Sequence, residues 1–107
     1  TVDLTIIMMP PSPQAEYHYG QPLVACYAPY GERFQDNSLD MGSGYDCMDF
    51  AAHADNMRIN PVAYYNRSFL HTIMKKYGFK NYYKEWWHFT LVNEPFPEQY
   101  FNFPVQN

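Results

Sequence analysis

Basic residues and long apolar runs are both scarce in this sequence. Lysine and arginine together number 7 against 11 acidic residues, so the net charge is −4, and the only adjacent basic pair is Lys75-Lys76. Nucleic-acid-binding domains carry a basic patch or stripe, and a membrane-spanning helix needs about 20 consecutive apolar residues. We therefore expect neither a nucleic-acid partner nor a membrane span.

Cysteine is scarce as well. Cys26 and Cys47 are the only two, and they lack the close Cys-x-x-Cys spacing that indicates a zinc knuckle. A disulfide between them would stabilise the fold by about 3 kcal/mol, because it restricts the unfolded chain. We predict this disulfide and, with it, an oxidising compartment such as the periplasm. The alternative is a pair of unrelated buried thiols in a cytoplasmic protein.

Aromatic side chains, by contrast, are abundant. Eleven Tyr, 8 Phe and 2 Trp make up 20% of the 107 residues, which excludes a disordered chain and suits one small domain. The first residues, Thr1-Val2-Asp3, enter an apolar run with no Met and no turn. We read residues 1–107 as a piece of one domain in a longer chain, and we expect part of its sheet to lie elsewhere because few strands are predicted.

The first half of the chain predicts one strand and a long loop. Apolar and β-branched residues alternate over residues 2–9, as in a half-buried strand, until a cluster of prolines ends the pattern. Residues 10–45 hold five of the nine prolines and four of the five glycines, so we predict a loop there, with a short hairpin around Leu23–Tyr27. A short helical or irregular segment is expected from Cys47 to His53.

One helix is indicated in the second half. Asn60 is a good N-cap and Pro61 suits the first helical position, while Gly78 suits the left-handed residue that follows a helix. Trp86–Val92 predicts another strand, so the expected fold class is α+β, with this helix on a small antiparallel sheet. The helix face expected to pack on the sheet recurs at helical spacing and comprises Val62, Tyr65, Phe69, Leu70, Ile73, Met74 and Tyr77.

Packing expectations for other side chains follow from the same pattern. His71 lies off the apolar face and should be exposed, whereas two consecutive tryptophans beside the second strand should be core residues. The aromatic tail should pack against the body of the domain, because so many rings would not stay in water. Its rings belong to Tyr100, Phe101 and Phe103.

Polar residues in the two predicted strands suggest a metal site. A carboxylate such as Asp3 is costly to bury unless it is paired or bound to a cation, and catalytic zinc takes His, Asp and Glu ligands. Asp3 and His88 are therefore candidate ligands, and Glu85 is a candidate general base. Glu85 and His88 would point to opposite faces of an extended strand, so a turn or bulge at Glu85-Trp86 is needed. The alternative is a surface Glu and an ordinary core His.

The order of four segments resembles a known enzyme family. The segments are Val-Asp-Leu-Thr (2–5), Asp-Met-Gly-Ser-Gly-Tyr-Asp-Cys-Met-Asp-Phe-Ala-Ala-His (40–53), Glu-Trp-Trp-His-Phe-Thr-Leu (85–91) and Asn-Glu-Pro-Phe-Pro-Glu-Gln-Tyr-Phe-Asn-Phe-Pro-Val (93–105). In this order they are similar to the C-terminal half of the VanX-type zinc D-alanyl-D-alanine dipeptidases, and the residues around Pro10–Asn37 are the least family-like part of the chain.

The resemblance implies a hedgehog-like D,D-peptidase fold, one zinc ion and a role for each matching residue. Asp3 would be the second zinc ligand, His88 the third, and Glu85 the general base and acid. Asp46 would lie near the ammonium group of the substrate, since a carboxylate suits a cationic amino terminus; a simple turn role is its alternative. We expect structural hydrogen-bonding roles for Asp49 and His53.

The family pattern also includes residues that this sequence does not contain. Its first His ligand and an oxyanion-stabilising Arg would both lie before Thr1, in a missing N-terminal half. Among the other histidines, His53 is the better substitute ligand, ahead of His18 and His71. The expected activity is hydrolysis of the dipeptide D-Ala-D-Ala. The alternatives are a D,D-carboxypeptidase or endopeptidase acting on peptidoglycan stems, and a non-catalytic cell-wall-binding remnant of the same fold.

Overall fold

A helix and a small three-stranded sheet form the regular structure of residues 1–104, the part of the chain that this computed structural model describes. This arrangement confirms the predicted α+β class. A 3₁₀ helix, Phe50–Ala52, lies in the expected Cys47–His53 segment. The other elements, in chain order, are β1 (Val2–Asp3), α1 (Pro61–Lys76), β2 (Phe79–Asn81) and β3 (His88–Leu91).

The sheet is antiparallel, with the strand order β1-β3-β2. Strand β3 lies in the centre and pairs with β1 so that Asp3 stands opposite His88. On its other side Phe79 stands opposite Leu91. The predicted strand over Trp86–Val92 is confirmed, although it begins at His88. Strand β2 was not predicted, because Phe79–Asn81 is too short to show alternation.

The prediction of a strand over residues 2–9 is wrong beyond Asp3. The backbone N–H of Leu4 still donates to the carbonyl of Trp87 at 3.1 Å, but the partner chain turns away there, so the ladder ends. Further on, Ile7 makes only an isolated bridge with Ser38. The alternation reflects Leu4 and Ile6, which pack against the core without strand pairing.

The helix begins and ends where its capping residues predict. The Asn60 side chain accepts a hydrogen bond from the backbone N–H of Ala63 at 2.9 Å, and Pro61 is the first helical residue. Gly78 follows with φ +85°, a conformation that other residues rarely adopt. The next segment can therefore reverse direction at once, and Phe79–Asn81 returns along β3.

The prediction of the helix face is wrong. Leu70 is buried and Met74 packs against the core, as expected, but Tyr65 is 69% exposed. The face that packs inward carries Ala63, Asn66, Arg67 and Leu70. The reason is that a buried polar group sets the rotation of the helix. The exposed side chains of the predicted face are Val62, Tyr65, Phe69, Ile73 and Tyr77.

That buried polar group is the guanidinium of Arg67, which is only 1% exposed. Its Nε donates to the carbonyl of Met41 at 2.5 Å, and its two terminal nitrogens donate to the carbonyls of His53 at 2.7 Å and Ala51 at 2.5 Å. Burial, followed by the positive charge of Arg33, lowers the pKa of Arg67 to about 10. It therefore remains charged at neutral pH and joins α1 to the segment Asp40–His53.

The apolar core lies between this segment and the sheet. Trp86 and Trp87 are each 1% exposed, which confirms the prediction that they are core residues. The predicted disulfide is present as well, because the sulfurs of Cys26 and Cys47 are bonded. The remaining buried members of the cluster are Met41, Ala52, Leu70 and Phe89.

The long loop is confirmed, since residues 10–45 contain no helix or paired strand in the described structure. The hairpin expected at Leu23–Tyr27 is wrong, because a simple turn forms there, with the N–H of Ala28 donating to the carbonyl of Ala25. The disulfide and one carboxylate anchor the loop. That carboxylate, Asp40, accepts hydrogen bonds from Arg33 and from the backbone N–H of Gly42, both at 2.9 Å.

Asp40 connects the loop to the start of α1. Its second oxygen accepts a hydrogen bond from the Asn60 side chain, and its backbone carbonyl accepts one from Asn66. Burial alone would raise the pKa of Asp40, but hydrogen bonds from Gly42, Asn60 and Arg33 outweigh burial and lower it. The ionised carboxylate is therefore the form that holds these segments together.

Two predictions about packing are wrong. The aromatic tail does not pack against the body: Tyr100 is fully exposed and Phe96 contacts Phe101 instead. The reason is that this segment forms only a local turn, with the N–H of Gln99 donating to the carbonyl of Phe96. Conversely, His71 is not exposed, because it meets the ring of Phe89 edge-on at 5.5 Å.

The described residues include no helix that is both long and apolar enough to cross a membrane. The radius of gyration of 15.3 Å exceeds the roughly 13 Å typical of a chain of this length. A large number of apolar side chains accordingly remain at the surface, including those along α1.

Replacing Arg67 with Met should lower the free energy of unfolding by about 3 kcal/mol or more, because three hydrogen bonds are lost and the carbonyls of Met41 and Ala51 are left without a donor inside the protein. Chemical denaturation measures this effect. Arg58→Met is the matched control, since Arg58 is exposed, and it should change stability by less than about 0.5 kcal/mol. Equal stability of the two variants would show that the guanidinium does not hold the helix in place.

Acidification should destabilise the fold through His71. Burial, and then the charge of Arg67, lower the pKa of His71 below 6.5. Its neutral form is therefore favoured in the folded state, and stability should fall as the pH drops from about 6.5 through the folded-state pKa. The slope of unfolding free energy against pH should be shallower in His71→Phe than in the native chain. His18→Phe, a change in the exposed loop, is the control. An equal dependence of unfolding free energy on pH in all three proteins would contradict the role given to His71.

Candidate active site

A tight turn between β2 and β3 carries the two candidate catalytic side chains. The backbone N–H of Glu85 donates to the carbonyl of Tyr82 at 3.0 Å, and that of His88 donates to the carbonyl of Glu85 at 3.4 Å. The Asn81 side chain donates to the carbonyls of both Glu85 and His88, at 2.8 and 2.9 Å. The turn expected at Glu85-Trp86 is therefore confirmed, and Asn81 holds its two ends together.

The two tryptophans fix this turn to the rest of the fold. Trp86 donates its backbone N–H to the carbonyl of Ala52 at 3.1 Å and its indole N–H to the hydroxyl of Ser43 at 3.0 Å. The carbonyl of Trp87 accepts from the N–H of Leu4, and the two indoles meet edge to face at 5.2 Å. Glu85 and His88 therefore stand on a rigid, water-poor base.

The sheet register brings the third predicted residue to the same place. Asp3 is directly opposite His88, and its Oδ1 lies 2.8 Å from His88 Nδ1. The same ring nitrogen lies 3.8 Å from Oε2 of Glu85. These three side chains keep between 23% and 35% of their surface exposed. Residues 85 positions apart in the sequence thus form one solvent-accessible group of two carboxylates and an imidazole.

The cluster contains a fourth residue that the sequence did not indicate. The hydroxyl of Tyr45 donates to Oδ2 of Asp3 at 3.0 Å. This hydrogen bond, followed by the charges of Asp3, Asp46 and Glu85, raises the pKa of Tyr45 above 10.0, so the phenol stays protonated as a donor. No local signal identifies it, since the contact joins residues 42 positions apart that share no strand or helix.

The remaining predicted residues have simpler surroundings. Asp46 is exposed and has φ +55°, which fits its alternative as a turn residue, while its role in substrate binding stays a prediction. The Asp49 side chain accepts from the N–H of Ala51 at 2.8 Å and so caps the 3₁₀ helix, as expected of a structural residue. His53 packs between the rings of Phe50 and Tyr83.

Asp3 and His88 have the donor chemistry and the proximity that a metal site requires. The two groups are accessible and hydrogen-bonded to each other at 2.8 Å, and a carboxylate oxygen and an imidazole nitrogen are donor types that zinc takes. Within residues 1–104, however, no group of three or more His, Cys, Asp and Glu residues is arranged to hold a metal ion. His18, His53 and His71 are therefore not placed as substitute ligands, and a complete site needs donors from elsewhere.

A groove of about 500 Å³ opens beside Asp3. Asp3, Tyr45 and Trp86 form one side of it, and the long loop contributes the other side. The loop therefore borders the candidate site instead of lying apart from it. Its contributions include the side chains of Gln14, Val24, Phe34 and Asn37.

Comparison with known proteins identifies the family of this chain. Residues 32–106 match the M15 peptidase family, whose description is D-Ala-D-Ala dipeptidase. The chain belongs to the M15 peptidase family. The matched range contains Asp46, Glu85 and His88, whereas Asp3 and Cys26 precede it.

Several curated D-alanyl-D-alanine dipeptidases resemble this M15 chain. The protein from Enterococcus faecalis is 43% identical over 67 residues, which is 63% of this chain and 33% of the relative. The Streptomyces coelicolor protein is 45% identical over 65 residues, covering 61% and 32%. The Enterococcus faecium protein is 44% identical over 68 residues, covering 64% and 34%. The matched part of this chain thus spans about a third of each relative's length.

Replacing Asn81 with Ala should loosen the Glu85–His88 turn. The carbonyls of Glu85 and His88 would each lose one of two donors and keep only a backbone N–H, so the free energy of unfolding should fall by roughly 1–2 kcal/mol. Amide hydrogen exchange should also accelerate at Tyr82 and His88, whose N–H groups hold the turn. Asn93→Ala, in an exposed position just after β3, is the matched control. Unchanged exchange at both amides in the Asn81 variant would show that its side chain is dispensable for the turn.

Proposed function

We propose that this chain provides the general base and two metal ligands of a zinc-dependent D-alanyl-D-alanine dipeptidase. The observation that carries the proposal is the convergence of Asp3, Glu85 and His88 at the start of β3, the central strand of the sheet. The family match supports it, as does the similarity to proteins named D-alanyl-D-alanine dipeptidases. Two residues alone would not bind zinc tightly, so we propose that the rest of the domain completes the set.

Each member of the cluster has a role that suits its position. Asp3 and His88 would hold the ion through a carboxylate oxygen and an imidazole nitrogen. Zinc, when bound, lowers the pKa of a bound water to about 7 and polarises a carbonyl group. Glu85 lies farther from the ring nitrogen of His88 than Asp3 does, at 3.8 Å against 2.8 Å. It is thus the carboxylate left to accept a proton and return it to the leaving amine.

Substrate selection involves the neighbouring loop. Asp46 lies near enough to Tyr45 to raise the pKa of its hydroxyl, which puts a negative charge at the edge of the cluster. We propose that this carboxylate binds the ammonium group of the dipeptide, because a free amino terminus is cationic. The open groove beside Asp3 would accept the rest of the substrate, and the long loop would limit its length.

The rest of the catalytic domain would supply what residues 1–104 lack. The relatives extend well beyond the matched third, and the family pattern places a further His ligand and an oxyanion-stabilising Arg ahead of Asp3. We propose that this upstream half completes a hedgehog-like D,D-peptidase domain around the sheet. The exposed apolar side chains of the described residues are consistent with further packing.

The disulfide supports a proposal about location. Cys26 and Cys47 are bonded, and disulfides persist in oxidising compartments such as the periplasm. We propose that the protein folds there, where fragments of the cell wall are available as substrates. Free thiols at both positions in protein isolated from cells without reductant would instead favour the cytoplasm.

Replacing Glu85 with Gln should abolish most hydrolysis without removing the metal. The test uses the chain extended upstream through the first His of the family pattern. Loss of the proton acceptor should reduce kcat for D-Ala-D-Ala by about 10²–10⁴-fold, while His88→Ala should lose zinc as well. Metal analysis and a D-alanine release assay measure the two effects, and Glu94→Gln, an exposed change, is the control.

The same extended protein distinguishes the alternatives. Faster cleavage of a stem pentapeptide than of the dipeptide would favour a carboxypeptidase or endopeptidase. Zinc binding without hydrolysis of either substrate would favour a non-catalytic remnant. An extended protein that contains no zinc would rule out the proposed mechanism.

A further inference from the structure

The carboxylate of Asp3 has two different neighbours. Its Oδ1 faces the imidazole of His88 at 2.8 Å, and its Oδ2 accepts the hydroxyl of Tyr45 at 3.0 Å. The strand that carries it has only two residues and lies at the edge of the sheet. Short backbone pairing by itself leaves the rotation of such an exposed side chain free, so the orientation of the carboxylate depends on its side-chain partners.

We propose that Tyr45 is a positioning residue that fixes the carboxylate of Asp3 for metal binding. This inference rests on the proposed function, because it assumes that Asp3 and His88 hold an ion. One oxygen bound to a phenol leaves the other directed at the side of the cluster where His88 and Glu85 meet. Partners of this kind, which orient a metal ligand without touching the ion, typically change metal affinity by about 10–100-fold.

Tyr45 is itself held firmly enough to serve as such a partner. Its ring packs against that of Trp87, with centroids 5.5 Å apart. On one side of it in the chain, the N–H of Gly44 donates to the carbonyl of Cys26 at 2.8 Å. On the other side, Cys47 is buried and bonded to Cys26. The short segment that carries the phenol is thus anchored at both ends.

These contacts also connect the long loop to the metal ligand. Cys26 belongs to the loop, and it holds the backbone on both sides of Tyr45 through one hydrogen bond and one disulfide. The hydrogen bond from the hydroxyl of Tyr45 then restrains the carboxylate of Asp3. The part of the sequence that least resembles the family would in this way help to place a residue that the family pattern assigns to the ion.

The test replaces Tyr45 with Phe in the chain extended upstream. The change removes the hydroxyl and keeps the ring, so thermal unfolding of the metal-free protein should not change. Zinc affinity, measured by competition with a chromophoric chelator, should fall about 10-fold or more. At saturating zinc, kcat should recover, with KM unchanged. Tyr82→Phe is the matched control, because the ring of Tyr82 also lies beside His88, and it should leave zinc affinity unchanged.

The outcomes separate this inference from the function on which it rests. Unchanged zinc affinity in Tyr45→Phe, with a native protein that binds zinc, overturns the positioning role alone. Unchanged affinity with a lower kcat at saturating zinc would assign Tyr45 a contact with the substrate instead and likewise overturns the role. A native protein that binds no zinc overturns the proposed function and this inference together.

Discussion

The buried guanidinium of Arg67 is the interaction on which the rest of the structure depends. It satisfies carbonyls of Met41, Ala51 and His53, so one side chain of α1 fixes both ends of the segment that lies beneath the sheet. That segment carries Tyr45 and Cys47, and the carbonyl of Ala52 accepts from the backbone of Trp86. One buried charge thus joins the helix to the segment that carries the disulfide and contacts the Glu85–His88 turn. This charge is costly to bury and therefore needs every one of its partners.

Local chemistry explains what could be predicted from the sequence. The ends of α1 follow from Asn60, Pro61 and Gly78, because each residue acts on the backbone next to it. The Glu85–His88 turn could be inferred because an imidazole and a carboxylate at odd spacing can meet only if the strand is interrupted. The disulfide could be predicted as well, since the chain has only two cysteines. In each case either a few adjacent residues or the presence of only two cysteines limited the possible structures.

Long-range partners explain what could not be predicted. Hydrophobic periodicity selected the Tyr65 and Phe69 face of α1, but the three carbonyl acceptors of Arg67 turned the adjacent face inward, which shares only Leu70 and Met74 with the predicted one. Alternation over residues 2–9 reflected the contact of Leu4 and Ile6 with the core, and could not show that the partner chain turns away at Trp87, just before β3 begins. Tyr45 was missed for the same reason: its partner is 42 residues away, and nothing near it in the sequence distinguishes it from the other ten tyrosines.

The pairing of β1 with β3 has a consequence for how the protein assembles. Only two residue pairs define their register, Val2 with Phe89 and Asp3 with His88. A slip of one residue would place Val2 or Leu4 opposite His88 and turn the Asp3 side chain to the other face of the sheet. The contact between Asp3 and His88 therefore exists in a single alignment of the strands. A metal ion that bound both side chains would stabilise this alignment relative to the slipped ones. The ion would then select the correct pairing of β1 with β3 in addition to its part in the reaction.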